Sequence, residues 1–301
     1  MTLELINVLV LFTIVGLAAL AYGIRLTLKG PAHFDRIDRQ GGSKLLGKGV
    51  MELAYWLFQP LARLLVACRV TANHISWTSL VLGLLAGCCL AFGHFGSGSI
   101  LATLSFILDS LDGIVARLTH QSSDAGEVLD ASIDRYVEFF FLGGLTIYYR
   151  EIPALLVLSL LATMGAFMVS YSTAKAEALQ IEPPKGNMRR PERALYLTLG
   201  AALSPITIPW LESSRDYPIA VAHPMVIALC LVAVLANCSA IERLWALAKI
   251  IRAREANDQI DPNKLTQRTL RNNDESIELA GLIEANSSTS QAPLRDLLIK
   301  D

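Results

Sequence analysis

Runs of about twenty apolar residues recur along this chain, and a helix of roughly that length crosses a ~30 Å hydrocarbon core. A helix also bonds every backbone N–H and C=O within its own segment, as lipid requires. The runs predict spans at residues 75–94, 97–118, 127–148, 153–176, 193–211 and 219–246, preceded by one more at residues 3–28. Composition agrees: of 301 residues, 53% are hydrophobic. The expected fold class is all-α, a polytopic membrane protein. It has a six-helix transmembrane core, an extra N-terminal transmembrane helix and an interfacial amphipathic helix. The amphipathic helix is read at residues 48–69, where Trp56, Phe58, Leu61, Leu64 and Leu65 mix with Arg63 and Arg69. Such a segment can lie in the interface plane.

The first run is longer than a signal-peptide core and lacks a basic segment before it, so it reads as a retained anchor. Three parts are expected: residues 1–47 as anchor and basic linker, 48–250 as the membrane domain, and 251–301 as a polar tail. The tail is rich in Asn, Ser, Asp and Glu, a composition that predicts disorder. The formal net charge of −1 gives no basic footprint for nucleic acid. Cys68, Cys88, Cys89, Cys230 and Cys238 form no C-x-x-C pair and read as small apolar residues. Arg and Lys gather on one side of the predicted spans: Arg63, Arg69 and Arg117, then residues 175–193, then residues 243–254. The other side has only Arg150 and Arg215 in its loops. The basic side is cytoplasmic by the positive-inside rule. The expected location is the inner (cytoplasmic) membrane, with the N-terminus outside.

Four aspartates break the apolar pattern: Asp109, Asp112, Asp130 and Asp134. A carboxylate in a membrane span is costly and usually functional. Asp109 and Asp112 stand at i, i+3 and share a helix face; Asp130 and Asp134 stand at i, i+4 on the next helix. A short polar turn between the helices lets the four converge at the cytoplasmic end. Oxygen-only ligands suit hard cations, Mg²⁺ or Mn²⁺. Two such ions would offset the acids and could clamp a pyrophosphate. Gly113 leaves room for a ligand against the backbone, Arg117 can bind phosphate, and Gly126 and Ala116 permit close helix packing. Asp124, in the polar turn, is left outside the site.

Together these residues read D-x2-D-G-x2-A-R-x8-G-x3-D-x3-D. The pattern resembles the signature of the CDP-alcohol phosphatidyltransferases, integral membrane enzymes of phospholipid synthesis. The resemblance spans about residues 48–250. Upstream, VTANHISWTSLVLG is similar to the family's segment before its first core helix, with Ala72-Asn73 where Pro-Asn is usual. The resemblance implies a six-helix core, a homodimer and a cytoplasm-facing site. It also implies transfer of a phosphatidyl group from a CDP-linked donor, CDP-diacylglycerol, to a small polar acceptor, with release of CMP. By the same resemblance, Asp109 and Asp130 bridge two Mg²⁺ or Mn²⁺ ions and Asp112 binds one of them. Asp134 binds the other and serves as the base. Gly113, Arg117, Ser123, Asn73 and Ser76 are implied contacts of the CDP donor.

Residues 170–193 resemble the acceptor segment of members acting on inositol phosphate or glycerol phosphate. That makes Lys175, Arg190 and Arg193 acceptor candidates, beside the plainer reading that they anchor helix ends on the positive side. Glu177 and Glu192 are candidates to pair with these cations. Two rival readings remain: a CDP-alcohol phosphotransferase with a lipid acceptor, and a cation transporter. Transporters usually show internal repeats and acids near the midplane, and neither pattern is visible here.

Overall fold

In a computed structural model, residues 2–30, 47–121, 123–184, 186, 188–211 and 219–260 are described. They form eight α-helices: α1 (Leu3–Lys29), α2 (Gly47–Ala67), α3 (Ala72–Ala91), α4 (Phe95–Leu118), α5 (Asp124–Tyr148), α6 (Pro153–Ala178), α7 (Arg190–Leu211) and α8 (His223–Ile260). Every predicted span matches one of them within a few residues at its start. The chain divides into two compact units, Met1–Leu244 and Trp245–Asp301. Everything that follows lies in the first. In the second, residues 245–260 are helical, a stretch that includes the first ten residues of the expected polar tail. The rest of the tail, 261–301, and most of the basic linker lie outside the described residues.

Seven helices among the described residues are long and apolar enough to cross a membrane. Two details depart from a plain hydropathy reading. The amphipathic stretch Gly49–Ala67 qualifies, whereas α5 does not, because it carries five acids and an arginine. The helix that hydropathy passes over is the one carrying half of the acid cluster.

Glycine positions the core. A side chain at Gly87 of α3 would run into the Phe140 carbonyl oxygen of α5, and one at Gly144 of α5 into the Gly87 carbonyl. Gly83, also on α3, meets the Val137 side chain at 2.9 Å from where a Cβ would stand. Small residues let helix backbones approach closely in lipid, where van der Waals packing drives association. As a result α4 and α5 each pack mainly on α3 and much less on each other. The acid-bearing helices therefore form a hairpin wrapped on a third helix, and not a tight pair.

The extra helix α1 is tied to the non-acidic end of α4. Glu4 Oε2 accepts from the backbone N–H groups of Gly96 (2.6 Å) and Ser97 (3.0 Å). These are first-turn donors with no partner inside the helix. At the other end of α4, α2 covers an apolar cluster of Ala62, Ile75, Leu111, Ile114 and Val115. That cluster lies beside Asp112 in sequence and braces the acidic end of α4.

Candidate active site

Helix starts shape the rim of the site. Thr71 caps α3 by accepting from the His74 backbone N–H at 3.4 Å. Ser123 caps α5 by accepting from the Gly126 N–H at 3.1 Å. Both caps line a cavity of about 820 Å³, together with Asn73, Asp112, Gly113, Arg117 and Asp130. Two helix N-termini thus open on one cavity, and their unbonded N–H groups and dipoles favour an anion there.

The acids stand at the edge of this cavity. Asp109, Asp112 and Asp130 each offer an oxygen, and these three oxygens lie within 4.8 Å of one another. The donor set is oxygen only, so it fits Mg²⁺ or Mn²⁺ and suits softer metals poorly. Asp112 is buried, and Ser76 Oγ donates to its Oδ2 at 2.5 Å. Ser76 was expected on the CDP donor. Its hydroxyl is engaged by Asp112, and the residue also lines the cavity.

Asp134 is placed differently from the other three. Its Oδ1 lies 2.6 Å from Arg190 Nη2. The angle is wrong for a hydrogen bond, so Asp134 Oδ1 and Arg190 Nε are both buried without an aligned partner. The same guanidinium grips Asp109 with both arms: Nη1 donates to Oδ2 at 2.8 Å and Nη2 to Oδ1 at 3.1 Å. Arg190, an acceptor candidate from sequence, is therefore seated among the acids.

One turn along, the pattern repeats. Arg193 donates from Nε to Glu138 Oε1 at 2.6 Å and from Nη2 to Oε2 at 2.9 Å. Arg193 is 1% exposed. It was read as an acceptor contact; the structure places its Nε and Nη2 on Glu138, which links α5 and α7. Lys175 is exposed near the C-terminal end of α6. Glu192 accepts from the Arg189 backbone N–H at 2.8 Å, capping the start of α7.

Gly113 and Arg117 both line the cavity. A Cβ on Gly113 would lie 3.3 Å from Arg117 Nη1, so the glycine leaves space under the guanidinium. Gly126 and Ala116 were read as packing residues; both line the cavity instead. Asp124, left outside the site from sequence, also lines it.

Two residues were missed. Glu138 follows Asp130 and Asp134 at the same four-residue spacing, and that extended stripe was the available signal. Arg243 is buried on α8, donates to Thr173 Oγ1 at 3.1 Å, and was read only as part of a basic end.

Comparisons with known proteins bear on the family and the fold. The family model for CDP-alcohol phosphatidyltransferase matches residues 69–235. The chain is 30% identical over 173 residues to a phosphatidylinositol phosphate synthase of Corynebacterium glutamicum, covering 55% of this chain and 78% of that one. It is 32% identical over 158 residues to an archaetidylinositol phosphate synthase of Methanothermobacter thermautotrophicus, covering 51% of this chain and 80% of that one. Among solved structures, the Mycobacterium tuberculosis phosphatidylinositol phosphate synthase in complex with manganese and citrate shares the fold. It has a TM-score of 0.54 and 23% identity, covering 62% of this chain and 87% of that one. The same protein with CDP-DAG bound aligns with a TM-score of 0.53, covering 62% and 91%.

Proposed function

This chain belongs to the CDP-alcohol phosphatidyltransferase family, and on that premise we propose that it transfers a phosphatidyl group from CDP-diacylglycerol to a phosphorylated polar alcohol. The acceptor class is inositol phosphate or, less closely matched, glycerol phosphate. The protein is an integral membrane enzyme. The observation that carries the reading is the trio Asp109, Asp112 and Asp130 at the edge of a cavity entered by two helix N-termini. The inositol-phosphate synthases among its relatives support a polar acceptor over a lipid one.

The roles follow from the chemistry of the transfer. The acceptor hydroxyl attacks the lipid-bearing phosphorus, the phosphoanhydride bond breaks, and CMP leaves with the bridging oxygen. Bound Mg²⁺ or Mn²⁺ offsets charge on the pyrophosphate. Asp109, Asp112 and Asp130 would hold it, and Asp134 would complete a second ion site. Arg117, the Gly113 backbone and the N-terminal groups at Asn73 and Ser123 would orient the nucleotide and its phosphates. Asp134 would take the proton of the acceptor hydroxyl. Lys175 and the Arg189–Arg190 pair would meet the acceptor's phosphate, and Arg193 would hold α7 in place.

The same proposal has residues 48–250 as the catalytic domain, with 1–47 as anchor and 251–301 as tail. It includes a homodimer in the inner membrane, with the site facing the cytoplasm as the Lys and Arg bias supports. The test is CMP release and lipid product mass from purified protein given CDP-diacylglycerol, Mg²⁺ or Mn²⁺, and a panel of acceptors. Asp134→Asn should lower CMP release by on the order of 10³-fold while the fold persists. Unchanged release would remove Asp134 from the reaction, and no release by the wild type with any acceptor would sink the reading.

A further inference from the structure

We propose that Arg190 is a resident counter-cation of the acid cluster, which a second divalent ion must displace before it can bind. The inference rests on the metal-dependent reading above and concerns the order in which the site loads.

One guanidinium serves two acids on two helices. Both oxygens of Asp109 accept from Arg190, at 2.8 and 3.1 Å. The guanidinium also stands 2.6 Å from Asp134 Oδ1. Asp109 is thus shared between the trio and Arg190, whereas Asp134 lies outside the trio and meets Arg190 at 2.6 Å and, more distantly, Arg135 at 4.0 Å. An ionised carboxylate has about four acceptor sites, so Asp109 can give one lone pair to an ion in the trio while Arg190 stays. A second ion joining Asp109 and Asp134 has no such freedom. The guanidinium already stands against both carboxylates, so an ion joining them competes with it for the same oxygens and is repelled by its charge. The cluster therefore separates into one preassembled site and one that is held by a side chain.

The fit of Arg190 is incomplete, which suits a group that must leave. Its Nε and Asp134 Oδ1 are buried without aligned hydrogen-bond partners, an arrangement that leaves desolvation uncompensated. Its side chain keeps 25% exposure, against 1% for Arg193. The neighbouring Arg193–Glu138 fork fixes α7 on α5 independently. Release of Arg190 is then a side-chain rotation toward the open side, with α7 staying where it is.

The test is a Mn²⁺ titration of the full chain in nanodiscs, with free Mn²⁺ read by electron paramagnetic resonance. The wild type should bind one ion tightly and a second more weakly. Arg190→Gln should strengthen the second ion roughly tenfold or more, since a charge-assisted fork no longer competes. The first ion should change less. Arg190→Lys keeps the charge and loses the fork, so its second-ion affinity should fall between the two. It also serves as the readout if Arg190→Gln does not elute as folded protein. Second-ion affinity that is unchanged or weaker in the variants overturns the proposal. So does an equal gain for both ions, which would report only long-range charge. Either result can stand beside intact CMP release by the wild type, which leaves the transferase reading in place. Wild type that binds no Mn²⁺ would sink both.

Discussion

The two halves of α5 are held by opposite means. The part up to Glu138 carries Asp130, Asp134 and Glu138, which face the acid trio or an arginine of α7. The rest carries Phe141, Leu142, Gly144 and Leu145, all buried in the apolar core. One half is fixed by directional pairs with α7, the other by backbone contact with α3. Helices in lipid gain little from burying apolar surface, since the tails are equally apolar. Close packing therefore has to supply the stability of the second half. The first half can then carry repelling acids because its neighbour is already anchored. The two fixings meet at Glu138.

Glu138→Gln is the strongest way to break this division. It removes the charge that Arg193 was folded against and leaves a buried guanidinium unpaired. Breaking one side of a buried pair costs about 3 kcal/mol or more. The loss should appear as a lower midpoint in thermal unfolding of the detergent-solubilised protein. Activity should fall as well, because α7 loses the link that sets the height of Arg190. Glu138→Leu combined with Arg193→Met should recover most of the stability, since replacing both partners by apolar groups is often nearly neutral. If the single change leaves both unfolding and activity untouched, the two halves of α5 are not coupled at this position.

Gly144→Ala probes the other half and should have a smaller effect. A single methyl there meets the Gly87 carbonyl of α3, and overpacking typically costs about 2 kcal/mol. The unfolding midpoint should drop while the KM for the CDP-linked donor stays near wild type. A change in donor KM larger than the change in stability would mean that the α3–α5 contact shapes the cavity directly.

Much of this was legible in the sequence. Spans followed from apolar runs because hydropathy reports burial in lipid directly. The acids stood out because charge in an apolar run is rare. Gly113 and Arg117 were found by spacing, since both lie on the acid-bearing turn of one helix. What sequence did not show was pairing between distant segments. Arg190 and Arg193 look alike in a basic stretch, and nothing local says that one reaches Asp109 and the other Glu138. The same limit hid the pairing of Ser76 with Asp112, which lies 36 residues away. It also placed Gly126 in helix packing, although a Cβ there would meet only Ser123 Oγ, whereas Gly83, Gly87 and Gly144 pack closely in segments that read only as apolar.

Ser76→Ala has the smallest expected effect and sharpens the comparison most finely. The hydroxyl donates to Asp112 Oδ2 from a helix that both acid-bearing helices pack on. Its loss removes one hydrogen bond to a charged group, about 1.5 kcal/mol. If Ser76 only orients Asp112, the variant should weaken Mn²⁺ binding by roughly tenfold and leave the donor KM at saturating metal nearly unchanged. If Ser76 touches the CDP donor, as its place in the cavity wall also allows, the donor KM should rise at every metal concentration. A metal titration run at two donor concentrations separates these outcomes. It thereby decides whether α3 serves the polar half of the site through a ligand of the metal or through the substrate itself.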